Sequence, residues 1–379
     1  MEKIENLRIA LVHDHLAQDG GAEYVLKVLS EMFPQAPIYT LLYKKEVVEK
    51  NFANREIKTS IIQKLPGGIN HYKWYMAFMP LAVEFFDLSD YDLVVSDASA
   101  FAKGVITKPE TLHICYCHTP TRYLWSDTHS YIRELRYNKY FKKFISLVLN
   151  YVRIWDRLAA DRVDYYIANS KFISKRIKKY YKRDSVIIYP PVAIENFSIS
   201  EKVNDYFLIG GRLVPYKRFD IVIEAFKKLS INNQNIPRLK IYGDGIDAAR
   251  LKKIAGDSSN IEFLGRVSDE EKGELYRGCL AFINPQEEDL GITPIEAMAS
   301  GRPVIALGRG GALETIIEGV TGKFFYEQSV DAIVEVIRNF KPEIFNPLEI
   351  RKNAERFSKE KFKENMVDFI QGEWEKFKS

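Results

Sequence analysis

Cysteine is scarce in this chain: Cys115, Cys117 and Cys279 are the only three in 379 residues. An odd count with no repeated pair excludes a disulfide framework. Cys115-Tyr116-Cys117-His118 has a spacing of one residue and no second cluster, which argues against a zinc module. A reduced, cytoplasmic setting with no metal is therefore expected. No apolar run approaches the ~18 residues a bilayer span needs. The opening Met1-Glu2-Lys3-Ile4-Glu5-Asn6 has no apolar segment of signal-peptide type. Net charge is only +4, so nucleic acid binding is not implied globally. Neither a G-x-G-x-x-G fingerprint nor a Walker sequence is present. Low-complexity tracts are also missing. A composition of 46% hydrophobic and 28% charged residues is globular, and the length exceeds one ordinary core, so two domains are expected.

The residues that are present alternate strand-like and helix-like segments. Residues 7–12 read as a buried strand and 22–32 as a helix; 91–96 and 112–116 read as strands, and 165–170 as a strand meeting a helix cap. A second series runs through 206–211, 239–243, 261–265, 280–283 and 303–306. Such alternation predicts parallel sheets covered on both faces. Between the series, Tyr189-Pro190-Pro191-Val192 cannot continue a helix and reads as an interdomain connection. The expectation is two doubly wound domains, 1–195 and 196–355, with ligand bound in a cleft beyond the carboxyl ends of the strands.

Four segments carry candidate chemistry. Glu288 and Glu296 flank a Gly-containing loop, Glu288-Asp289-Leu290-Gly291-Ile292-Thr293-Pro294-Ile295-Glu296. Thr293 reads as an N-cap, Pro294 as the first helical residue, and Gly301 with Pro303 as the stop. Two carboxylates placed this way can grip sugar or ribose hydroxyls, but Thr293-x-x-Glu296 is equally a capping box, and both readings stand. Gly210-Gly211-Arg212 leads through Lys217 into a helix, and a guanidinium fork with an ammonium suits a diphosphate; solvated surface cations are the bland alternative. Gly20-Gly21 opens a helix where an anion or a plain turn would fit. His118 follows a strand and precedes Thr119-Pro120, which raises it above the other five histidines. Asp90-Tyr91-Asp92 matches a metal-holding D-x-D pattern, yet its place at a strand start favours a structural role.

Residues 133–183 hold 15 Lys or Arg against 4 Asp or Glu, with aromatic and aliphatic residues interleaved over 140–155. A basic amphipathic stretch can dock on an anionic membrane; it can also be a domain helix with a solvated face.

Together these residues resemble the retaining family 4 glycosyltransferases of the GT-B fold, from about Leu7 to the C-terminal helix. The Glu288–Glu296 segment with Gly308-Arg309-Gly310-Gly311-Ala312-Leu313-Glu314-Thr315 is the most specific part. Gly211-Arg212 with Lys217, Gly243-Asp244-Gly245 and Gly265-Arg266-Val267 add to it. The resemblance implies two Rossmann-like domains facing across a cleft, acceptor-binding first and donor-binding second. A final helix, within 356–379, crosses back to the first domain, with Phe362, Met366, Phe369, Ile370 and Trp374 as its packing face. It also implies that Arg212 and Lys217 hold the donor diphosphate, Glu288 contacts the transferred sugar and Glu296 the ribose. Gly20, Gly21 and Gly211 would lie beside the phosphates. Gly291, Ile292 and Thr293 would line the donor, Arg266 and Val267 would run along the nucleobase, and His118 would approach the sugar. Asp289 and Leu290 depart from the Gly and Phe of many relatives, which puts donor specificity in doubt. Residues 88–96 and 117–125 are similar to bacterial O-antigen mannosyltransferases. The implied reaction is hexose transfer, mannose from GDP-mannose, to a lipid-linked or growing glycan in cell-surface polysaccharide synthesis. The protein would be cytoplasmic or peripheral at the inner face of the membrane. The rivals are a nucleotide-sugar 2-epimerase of the same architecture and a non-enzymatic membrane-associated scaffold.

Overall fold

The computed structural model describes residues 6–135, 137–230 and 238–379; the opening segment 1–5 and the contribution of Arg136 to the basic stretch lie outside the described residues. Two compact units result, Met1–Pro191 with Phe362–Ser379, and Val192–Lys361. Residues 192–195 and 356–361 thus lie in the second unit, because the Val192 N–H donates to the carbonyl of Phe357 and fastens both segments there.

The first unit is built on a seven-stranded parallel sheet. Its strands are β1 (Ile9–His13), β2 (Ile38–Thr40), β3 (Ile57–Thr59), β4 (Leu93–Ala98), β5 (Leu112–Cys117), β6 (Tyr165–Ala168) and β7 (Ser185–Ile187), in the order β3-β2-β1-β4-β5-β6-β7. Every residue of β1 is buried, as expected of a strand covered on both faces. Its side chains divide by the period of two: Ala10 and Val12 join one apolar cluster, Ile9 and Leu11 the other. Helix α1 (Gly21–Met32) covers the second face through Val25, Leu26 and Leu29. Helix α2 (Lys139–Ala159) covers the first through Leu149, Val152 and Trp155, and starts where the Asn138 side chain accepts the N–H groups of Tyr140 and Phe141.

In the second unit a six-stranded parallel sheet runs β10-β9-β8-β11-β12-β13. The strands are β8 (Tyr206–Gly210), β9 (Arg238–Tyr242), β10 (Ile261–Gly265), β11 (Phe282–Asn284), β12 (Val304–Leu307) and β13 (Gly322–Phe325). Helix α3 (Asp269–Gly278) begins with a full capping box between Ser268 and Glu271, and α4 (Ile292–Ala299) follows the β11 loop. Helix α5 (Lys359–Lys378) returns to the first unit. Phe362, Met366, Ile370 and Trp374 are buried in its second core cluster and Phe369 packs partly buried beside them. Each fully buried side chain of this kind contributes roughly 1.5–3 kcal/mol. Among the described residues, no helix is long and apolar enough to cross a membrane.

Candidate functional site

In both sheets the strand order reverses beside the first strand of the series, and loops that diverge there leave room for a ligand. In the second unit this point lies between β8 and β11. The chain leaves β8 through Gly211, whose φ of +120° suits glycine. A single helical turn, Pro215–Lys217, then brings Lys217 back over the strand end. The chain leaves β11 through Pro285 and Gln286 to Glu288. Lys217 Nζ lies 2.9 Å from Glu288 Oε1, and the Gln286 side-chain amide donates to the same oxygen at 2.9 Å. Both charged side chains remain partly open, at 12% and 17% exposure. A cation and a carboxylate that balance each other while still reaching solvent can exchange that contact for a ligand's phosphate and hydroxyls.

The glycine-rich segment after β12 supports this loop. The Gly311 N–H donates to the Glu288 carbonyl at 2.9 Å. A Cβ at Gly310 would meet that carbonyl at 2.5 Å, and one at Gly311 would meet the Leu290 Cα at 2.3 Å. Any side chain there would push Glu288 out of place. Leu290, where the sequence departs from its relatives, is buried against this segment.

Helix α4 corrects the cap assignment. It starts at Ile292, after Gly291 with φ +94°, and has no side-chain cap. Thr293 is its second residue, not its N-cap, and the Thr293 hydroxyl is buried with no partner among the described residues. The capping box is therefore absent: the positive φ at Gly291 closes the loop two residues early, and Glu296 lies beyond the reach of the first turn. Its carboxylate instead accepts from Lys272 Nζ at 3.1 Å and from the Tyr276 hydroxyl at 2.9 Å, both on α3. Tyr276 in turn lies 2.6 Å from the Tyr242 hydroxyl. Burial pushes the Glu296 carboxyl above its ordinary range, against the opposing pull of Lys272.

Other expected residues are less tightly placed. Arg212 is exposed and has no ion pair among the described residues, and Arg266 pairs loosely with Asp244 at 3.4 Å. Val267 follows the edge strand β10, half-buried. Asp92 of the D-x-D segment is held by Arg8 at 2.8 and 3.1 Å, a structural pairing that joins β1 to β4.

In the first unit the reversal lies between β1 and β4, and the last residue of β1, His13, is paired in register with Asp97, the next-to-last residue of β4. Asp97 is fully buried. His13 Nδ1 donates to one of its oxygens at 2.8 Å, and His118 Nε2 lies 2.6 Å from the other. Burial alone would lower the His13 pKa; its hydrogen bond to the Asp97 carboxylate and the nearby negative charge of Glu23 overcome this and push it up to about 10. Burial likewise works to raise Asp97, but His118 and His13 hold it below the ordinary carboxylate value. Glu23 Oε1 stands 3.9 Å from His13 Nε2, while its other oxygen is buried without a partner among the described residues. A Cβ at Gly20 would come within 3.1 Å of that oxygen, so Gly20 keeps space open at the start of α1. Asp14 accepts four successive N–H groups, from Ser99 to Ala102, at 2.6–2.8 Å and fixes the loop after β4.

Sequence reasoning found His118 but missed His13, Asp97 and Glu23, and it missed Lys272 and Tyr276. The clue to the second pair was Lys272 and Tyr276 four apart on a well-capped helix. For the first, the only clue was that His13 and Asp97 lie near the ends of strand-like segments.

Two family descriptions match in succession, Glycosyltransferase Family 4 over residues 19–196 and Glycosyl transferases group 1 over residues 195–363. Mouse alpha-1,3/1,6-mannosyltransferase ALG2 is 26% identical over 332 residues, covering 78% of this chain and 77% of that protein. The O-antigen chain mannosyltransferase RfbU of Salmonella typhimurium is 29% identical over 199 residues, 51% of this chain and 55% of that protein. Anabaena HepE, solved with UDP, aligns with a TM-score of 0.69 at 18% identity, over 97% of this chain and all of that one. A lipopolysaccharide outer core galactosyltransferase, WaaB, aligns over 97% of this chain with a TM-score of 0.67 at 16% identity.

Proposed function

This chain belongs to the group 1, family 4 glycosyltransferases of the GT-B fold, and on that premise we propose that it transfers mannose from GDP-mannose to a lipid-linked or growing glycan with retained anomeric configuration. The observation that carries the reading is the Lys217–Glu288 pair at the point where the second sheet reverses. Lys217, with the free fork of Arg212, neutralises the donor diphosphate. Glu288 turns from the lysine to the hexose hydroxyls, and Glu296, steadied by Lys272 and Tyr276, accepts from the ribose. Gly211, Gly291, Ile292 and Thr293 border the donor, with Arg266 and Val267 toward the base. In the first unit, Gly20 and Gly21 serve the phosphates and His118 the transferred sugar.

In the reaction, the bond from the anomeric carbon to the diphosphate oxygen breaks and its electron pair leaves with the nucleotide. Positive charge develops on the sugar and negative charge on the diphosphate, where Lys217 and Arg212 offset it. The acceptor hydroxyl attacks from the face of departure and passes its proton to the leaving phosphate oxygen, so no enzyme nucleophile is required. Glu288 and Glu296 are therefore not the acid and nucleophile of a glycosidase pair. No step draws on a metal.

The mannosyl assignment is supported by the relatives named mannosyltransferases. The UDP and UDP-glucose held by the Anabaena protein make the nucleobase the point to test. Thermal unfolding against GDP, UDP, ADP and their sugars decides it: a rise in Tm confined to GDP species is expected, and a preference for UDP species overturns the GDP assignment.

A further inference from the structure

The transfer reaction above makes no use of Glu23. It is the third residue of α1, the place from which a capping-box acid reaches back to the N-cap N–H. Here the cap is Gly20, and the Glu23 side chain turns to His13 instead, with Oε1 standing 3.9 Å from His13 Nε2. Its Oε2 is left without a partner among the described residues, in a side chain only 3% exposed. A carboxylate oxygen stranded at this depth is costly unless a ligand donates to it.

The sequence keeps space open beside that atom. A Cβ at Gly20 would lie 3.1 Å from Glu23 Oε2 and meet no other heavy atom within 4 Å beyond its chain neighbours. Gly20 itself is exposed, so the gap over it leads from solvent to the carboxylate. His15 borders the same region: its Nδ1 is also buried without a partner among the described residues, and Tyr72 packs its ring against it at 4.9 Å. Burial holds the His15 pKa below its ordinary value, although the charges of Asp14 and Glu23 pull the other way. The ring is therefore neutral at pH 7 and can exchange a hydrogen bond with a hydroxyl.

Charge selects the ligand group. A phosphate oxygen set on Glu23 would bring two negative charges together. A cation is not needed, because His13, with its pKa of about 10, already balances the carboxylate from the other side. What remains is a neutral donor, and a sugar hydroxyl is one. Resting on the transfer reading above, we propose that Glu23 Oε2, with His15 Nδ1 beside it, holds the acceptor sugar by a hydroxyl next to the one that attacks. The attacking hydroxyl is not the one bound, since its single proton goes to the leaving phosphate oxygen. Glu23 thereby selects an acceptor with two neighbouring free hydroxyls, a sugar rather than a simple alcohol or a lipid phosphate. His13 stands between Glu23 and Asp97, and Asp97 holds His118, so the acceptor contact and the group that approaches the transferred sugar share one buried frame.

The test is steady-state transfer by the full chain from whichever of GDP-mannose, UDP-glucose and ADP-glucose raises its Tm. The acceptor probes are p-nitrophenyl glycosides of mannose, glucose, galactose and N-acetylglucosamine, with nucleotide release to water followed in parallel. Glu23→Ala should raise KM for the best glycoside about 10- to 100-fold, the worth of a hydrogen bond to a charged group, with a much smaller effect on donor KM and on release to water. Glu23→Gln keeps an acceptor oxygen in the same shape and should recover part of the loss; it carries the test alone if Glu23→Ala does not fold. Removing the hydroxyl beside the attacked position of the best glycoside should cost the parent the same factor and Glu23→Ala nothing further. The proposal fails if acceptor KM is unchanged in both variants, if release to water falls as far as transfer, or if the deoxy glycoside serves the parent equally well. It also fails if the parent hydrolyses its donor yet uses none of the glycosides. A parent that neither transfers from nor hydrolyses any of the three donors overturns the glycosyl-transfer reading itself, and this proposal with it.

Discussion

The two units place charged groups at the same topological point and treat them in opposite ways. In the first, Asp97 is entirely buried between His13 and His118, and each of its oxygens has a histidine partner. In the second, Lys217 and Glu288 pair at 2.9 Å but keep contact with solvent. A buried cluster resists rearrangement because breaking it strands a charge in a medium that cannot solvate it. A half-open pair loses little when water or a ligand replaces one partner. The first arrangement suits a fixed wall and the second a site that must open for each donor molecule. Helix α3 lies between these extremes: its Lys272 and Tyr276 hold Glu296 partly covered yet reachable.

The contrast can be broken experimentally. Asp97→Ala should have the largest effect, lowering unfolding free energy by about 3 kcal/mol in chemical denaturation, since His13 loses its buried partner. Comparable loss from Glu288→Ala would erase the distinction between the units. Lys217→Ala should leave Tm nearly unchanged while transfer falls about 10²–10³-fold in steady-state kinetics, the size expected when one charge-stabilising group is removed. Near-normal turnover would contradict its role.

A pH series sharpens the comparison further. The folded His13 pKa of about 10 lies above its ordinary 6.5. Its stabilisation is therefore complete below pH 6.5 and is lost as pH rises toward 10. Asp97, held below its ordinary 3.8, contributes above that value and loses its contribution on acidification. Unfolding free energy should thus decline between pH 6.5 and 10, and His13→Gln should flatten that decline. The smallest effect belongs to Tyr276→Phe, which removes one hydrogen bond to Glu296. Donor KM should rise about 5- to 10-fold with kcat little changed, matching the roughly 1–1.4 kcal/mol net worth of a single hydrogen bond where Lys272 still holds the carboxylate. An effect on kcat alone would place Tyr276 outside ground-state donor binding.

Much of the fold was legible because buried parallel strands are continuous apolar runs. Residues 261–265 were read with their observed bounds and the eight other strands that were read fell within about two residues, while the short strands β2, β3, β7 and β13, of three or four residues each, were not read. Helix α5, expected from the family resemblance, turns inward the face that its apolar spacing marked, Phe362, Met366, Ile370 and Trp374. The start of α4 was misread because Thr293-Pro294 is a strong local signal, while the backbone turn at Gly291 answers to the glycine-rich segment packed beneath it. In α2 the periodic apolar residues were visible, yet which face turns inward was not: two faces are apolar, and only the neighbouring turns at 72–84 select Leu149, Val152 and Trp155 for the core.

By itself, then, the sequence determined the alternation of strands and helices, the two-unit architecture and the positions of Lys217, Glu288 and His118 near strand ends. Those features depend on local hydrophobic patterning and on turn residues, which act over a few positions. Tertiary structure decided the partners: Lys272 and Tyr276 for Glu296, His13 and Asp97 for His118, and open solvent for the outer face of α2. Pairings across 20 to 84 residues depend on strand order and helix docking, and no local pattern encodes them.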